Sequence, residues 1–74
     1  MDWRQHISVD PRVTHGVACI AGTRIPVSVI LDNLVARVPE AELLAEYPSL
    51  TRDAIAAALA YAAALAREES LALP

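Results

Sequence analysis

Tyr47-Pro48-Ser49-Leu50-Thr51-Arg52-Asp53-Ala54-Ile55 is the stretch on which the reading of this chain turns. Pro48 disfavours helical geometry at Tyr47, so a helix arriving from upstream stops there. Thr51 is a good N-cap, because its hydroxyl can accept from the free amides of a new helix, and Asp53 lies in the first turn, where the positive end of the helix favours an acid. Leu50 and Ile55 occupy the two positions of a hydrophobic staple. These residues predict a helix, a short connection and a second helix.

The helical pattern extends both ways from there. Upstream, Val27, Ile30, Leu31, Leu34 and Val38 recur at i, i+3, i+4, i+7 and i+11 and predict a helix from about Ser28 to Arg37. Pro39 opens a short second helix carrying Glu40 and Glu42 in its first turn, and it ends at Tyr47. Downstream, the third helix runs through the alanine-rich segment 54–66 and is expected to fray after Arg67, Glu68 and Glu69, with residues 69–74 as a tail. Before Pro26 the pattern changes. Ile7, Val9, Val13, Val17, Cys19, Ile20 and Ile25 fall in short runs broken by Asp10-Pro11, His15-Gly16 and Ala21-Gly22, which predicts two or three short strands in residues 6–26. Gly16 and Gly22 suit positive φ at tight connections. The expected fold is mainly α with a small N-terminal β region: a hairpin segment followed by a three-helix helix-turn-helix unit over 27–68, in a single domain.

Composition narrows the function. At 74 residues, folding buries only roughly 60–65% of the unfolded chain's surface, so another copy or a partner is expected to add buried area. The chain is 55% hydrophobic and 20% charged, too apolar for a disordered segment. One cysteine, Cys19, cannot form an intramolecular disulfide, and Met1-Asp2 does not open a secretory signal, so a cytoplasmic protein is expected. The longest charge-free run, 54–66, falls short of the roughly 20 residues that a membrane-spanning helix requires. Nine acids against six arginines give a net charge of −3, which argues against strong non-specific binding of polyanions. Arg4, Arg12, Arg24 and Arg37 lie in the first half, so any anion-facing surface is expected there.

Several groups of residues carry candidate chemistry. In the helix-turn-helix geometry Arg52 can reach a phosphate or a guanine edge, and Ser49 and Thr51 can contact phosphate. The outward positions after them, Ala56, Ala57, Ala60 and Ala64, offer only methyl groups. The turn Ala21-Gly22-Thr23-Arg24-Ile25-Pro26 places Thr23 and Arg24 beside exposed amides and suits a phosphate or an acidic side chain. An ion pair of Arg24 with Asp10 or Asp32 reads the same residues structurally. On the third helix Ile55, Leu59, Ala62 and Ala66 form one stripe and Ala58, Tyr61 and Leu65 an adjoining one. The second stripe exceeds what packing on two short helices requires and marks a homodimer or partner interface. His6, His15 and Cys19 supply too few ligands at unsuitable spacing for a metal, and Glu40, Glu42 and Glu46 read as a solvated acidic face. With two glycines in the chain, no phosphate-cradling nucleotide loop can be written, so neither a cofactor nor an enzyme is expected.

The segments Ile7-Ser8-Val9-Asp10-Pro11-Arg12-Val13, Gly16, Ile20, Gly22-Thr23-Arg24-Ile25-Pro26-Val27, Leu43 to Thr51 and Ile55 to Ala62, in this order, resemble the bacterial domain-of-unknown-function family 433 over about residues 6–68. The resemblance implies a small strand region followed by a helix-turn-helix unit. It also implies VapB-like antitoxins, encoded beside a toxin with a PIN-like nuclease fold, that bind the toxin and promoter DNA. Arg12 joins Thr23, Arg24, Ser49, Thr51 and Arg52 as the expected DNA contacts. Val17 and Ala21 stand where members usually carry basic residues, and Ala18 where they carry a proline, so two phosphate contacts are missing. Arg37 replaces a common glycine and is expected to leave the first helix less sharply capped. A protein-interaction module without nucleic-acid binding is the alternative.

Overall fold

The computed structural model describes residues 2–9, 12 and 16–72, the last five by the course of the helix alone. A 3-10 turn, Trp3–Gln5, leads into β1 (Ile7–Ser8), which pairs antiparallel with β2 (Cys19–Ile20) in the register Ile7 to Ile20 and Ser8 to Cys19. The Ala21 amide donates to the His6 carbonyl at 2.8 Å and extends this pairing by one rung. The chain then reverses. Thr23 N donates to the Ile20 carbonyl at 3.0 Å with Gly22 at φ +77, a tight turn of the type that needs a glycine at its third position. The returning strand shrinks to a single bridge, Cys19 opposite Pro26, flanked by Ile20 N to Ile25 O and Val27 N to Ala18 O, both 2.9 Å. Pro26 therefore occupies the one position whose amide the ladder does not use. Gly16 also has positive φ, at +81. The expected Asp10-Pro11 turn lies outside the described residues.

Helix α1 (Val27–Val35) begins where Pro26 ends the bridge, one residue before the expected Ser28. It buries Val27 and Ile30 and rests Leu31 and Leu34 on the core. Its C-terminus is more sharply closed than the sequence suggests. Arg37 takes φ +62, its amide donates to Leu34 O at 3.0 Å, and Val38 N donates to Asn33 O at 3.0 Å. That pair of bonds is a Schellman motif, made here without the glycine that usually supplies it. Arginine pays for the motif in backbone strain, because its Cβ crowds the carbonyl in the left-handed region.

Helix α2 (Glu40–Glu46) follows Pro39, carries Glu40 and Glu42 in its first turn and buries Leu43 completely. Leu50 N to Tyr47 O, 2.9 Å, closes the connection. The cap of α3 (Arg52–Ala72) forms as expected: Thr51 Oγ1 accepts from Ala54 N at 3.1 Å, and Leu50 and Ile55 are both buried. The helix runs past the expected end at 67–69, because nothing up to Ala72 breaks it and alanine, arginine, glutamate and leucine all favour helix.

Ile7, Ile20, Val27, Ile30, Leu43, Leu50 and Ile55 form the core together with Ala54, Ala57 and Ala58. α3 packs against the 3-10 turn, β1 and α1. Three expectations for its faces are corrected. Ala57, read as outward, is 0% exposed, and Ala58, read as part of a partner interface, is also 0% exposed in the chain's own core. The β region and 3-10 turn cover a face that the stripe analysis left uncovered, and small side chains let them approach closely. Leu59, placed in the core stripe with Ile55, is 50% exposed as a result.

Candidate partner and nucleic-acid surfaces

The connection between α2 and α3 presents Ser49, Thr51 and Arg52 at the surface. Thr51 has a structural duty as the cap. The Arg52 guanidinium is drawn towards α2, with Nε 3.2 Å from Glu40 Oε1, in a pair that stays largely in solvent. Such a pair is worth at most about 1 kcal/mol, so it orients the guanidinium without locking it.

On the turn after β2, the Thr23 hydroxyl donates to Ile20 O at 2.7 Å and accepts from Ile25 N at 3.0 Å. It is a brace of that turn. Arg24 projects from it, exposed, and among the described residues no carboxylate, Asp32 included, pairs with it; Asp10 lies outside them. A Cβ placed on the exposed Gly22 would meet nothing within 4 Å, so the backbone here is open to an approaching group. Arg12 is exposed in the connection between β1 and β2.

The two regions meet at one cleft of about 390 Å³. Ala21 from the turn, Gln5 and His6 from the N-terminal segment, and Ser49, Thr51 and Asp53 from the start of α3 line it, above Ile20 and Ala54. Sequence reasoning located Ser49 and Thr51 but weighed His6 only as a metal candidate and set it aside, read Asp53 only as a first-turn acid, and missed Gln5. No periodicity carries that signal, since the cleft exists only once the β region docks beside α3. Among the described residues no three metal-ligating side chains gather; His15 lies outside them and Cys19 is buried in β2.

The expected interface stripe divides in two. Tyr61 is half-buried and meets Trp3 edge-on, ring centroids 5.1 Å apart and planes at 64°, while the Arg4 guanidinium lies over Trp3 at 4.6 Å. Tyr61 thus anchors the N-terminus to α3, a role that sequence analysis missed because Trp3 precedes every periodic segment. Leu65 is 40% exposed and, with Leu59, remains available to a partner. Among the described residues no helix is long and apolar enough to cross a membrane.

The comparisons agree on the family. The model of a family described as "Protein of unknown function (DUF433)" matches residues 7–62. The crystal structure of a DUF433 member protein from Anabaena variabilis is 41% identical and superimposes with a TM-score of 0.71, over 76% of this chain and 55% of that one. The chain therefore spans about half the length of that relative. No curated protein matches it. With the matched stretch covering both strands, the first two helices and the packed half of α3, this chain belongs to the DUF433 family.

Proposed function

We propose that this chain is the antitoxin of a bacterial toxin–antitoxin pair, a cytoplasmic homodimer that holds a PIN-like nuclease toxin and, with it, occupies promoter DNA. It acts by binding and needs no cofactor. The observation that supports this reading best is the course of α3. The helix leaves the core after Tyr61, with Leu59 50% exposed on its packed half and Leu65 40% exposed beyond it, on a chain small enough to gain from added buried surface. Exposed Arg12, Arg24, Ser49, Thr51 and Arg52 are the groups offered to phosphate, with Thr23 holding Arg24's turn in place.

Co-expression with the product of the neighbouring reading frame tests the proposal. Co-elution at a fixed ratio in size exclusion supports it; two folded proteins that elute separately overturn it. Leu65→Asp should weaken self-association in light scattering, and it leaves the Trp3–Tyr61 contact untouched.

A second reading, a protein-interaction module that binds no nucleic acid, is favoured by the helix that would have to read DNA. Arg52 is engaged by Glu40, Ala57 is buried, and Asp53 shares the cleft with Ser49 and Thr51. A low-salt gel shift on the complex separates the two readings: a salt-sensitive shift weakened by Arg24→Ala selects the first, and no shift selects the second.

A further inference from the structure

We infer that the cleft between the N-terminal segment and the start of α3 is a binding site for a guanidinium, supplied by an arginine side chain of a bound protein. This rests on the second reading, the chain as a protein-interaction module, in which Ser49 and Thr51 contact no phosphate. Gln5, His6, Ser49, Thr51 and Asp53 supply the polar lining, and Ile20 and Ala54, each 4% exposed, form the floor. At about 390 Å³ the cleft has the size of a small-ligand site, enough for a side chain and its flanking peptide groups.

The charge in the lining chooses the ligand. A helix start attracts anions in general, but here the Ala54 amide is already taken by Thr51 Oγ1 and the first turn carries its own carboxylate, Asp53. Among the described residues Asp53 is the lining's only carboxylate, and neither lysine nor arginine lines it. Arg52, its neighbour in sequence, is drawn to Glu40 on α2. A phosphate entering this cleft meets a like charge. A guanidinium meets a carboxylate whose two oxygens match its fork, with the Gln5 amide oxygen and the Ser49 and Thr51 hydroxyl oxygens as further acceptors. The net charge of −3 adds long-range attraction for a basic partner.

The test is an NMR titration of the isotope-labelled full chain with Nα-acetyl-arginine amide at low salt. Saturable shifts should concentrate on the amides of Gln5, His6, Ser49, Thr51 and Asp53. Asp53→Asn should bind about tenfold more weakly, the scale of losing a charged hydrogen-bond partner, and Glu42→Gln, on the exposed face of α2, should bind as the parent does. Inorganic phosphate should leave the same amides in place. Diffuse or absent shifts, an Asp53→Asn protein that titrates like the parent, or phosphate saturating these amides would each overturn the site. Co-elution with the neighbouring gene product without arginine binding would remove this site and leave the module reading standing.

Discussion

The two halves of α3 are built from the same residues and do opposite things. From Ala54 to Tyr61 the helix is part of the core: Ala54, Ile55, Ala57 and Ala58 are all 4% exposed or less, and Tyr61 is pinned by Trp3. Beyond Tyr61, Ala63, Leu65 and Ala66 are exposed, and among the described residues none there packs on the core cluster. The helix is 21 residues long, about 31 Å at the usual rise, and its core residues among those described all fall in its first half. The family match ends at residue 62, where the packed half ends. An alanine is thus a core residue or a surface residue according to what lies against the helix, and its own hydrophobicity does not decide the matter. The first half spends its small side chains on close approach by the β region, while the second half keeps its apolar residues available.

Large-to-small substitutions give the widest separation between the halves. Ile55→Ala should destabilise by about 2–4 kcal/mol, and Leu65→Ala by no more than about 0.5 kcal/mol at low protein concentration. Urea denaturation followed by the fluorescence of Trp3 measures both, and equal losses would break the comparison. Overpacking comes next. Ala58→Leu should lose about 1–3 kcal/mol because the side chain is 0% exposed within the core, whereas Ala63→Leu should stay within about 0.5 kcal/mol; a tolerated Ala58→Leu would mean that the β region does not hold its place. The cap sharpens the contrast at the packed end: Thr51→Ala should cost about 1 kcal/mol, read from the same denaturation curves. The smallest effect has the opposite sign and lies outside α3. Arg37→Gly should stabilise by about 0.5–1 kcal/mol, since glycine takes positive φ without crowding its Cβ and keeps the Schellman bonds. A loss there would show that the Arg37 side chain contributes more than its strained backbone costs.

Much of the fold was legible in particular residues. Pro48, Thr51 and the Leu50–Ile55 pair announce the α2–α3 boundary through local chemistry, and it formed as read. Pro26 and the stripe from Val27 to Val38 likewise locate α1, because proline stereochemistry and helical period act within a few residues. The site was less legible. Thr23 looked like a phosphate ligand and is a turn brace; Ala58 and Tyr61 looked like an interface and serve the chain's own packing. Arg37 looked like a weakened helix end and closes α1 with both Schellman bonds. Ala58 and Tyr61 depend on contacts between segments far apart in sequence, which periodicity within one segment cannot report. Thr23 and Arg37 make local bonds, set by the course of the backbone through their turns and invisible to a pattern of apolar residues.

By itself, the sequence determined the order of the β region and the three helices, the division near Pro26, the cap at Thr51 and the turn at Gly22, and membership of the DUF433 family, because these follow from short-range backbone preferences and local motifs. Only the tertiary structure decided which face of α3 is inside, that Trp3 closes over Tyr61, and that Gln5, His6 and Asp53 share a cleft with Ser49 and Thr51. An alanine-rich helix presents nearly the same apolar surface on several faces, so its own pattern barely distinguishes them. The choice falls to the shapes of the 3-10 turn, β1 and α1 that pack against it.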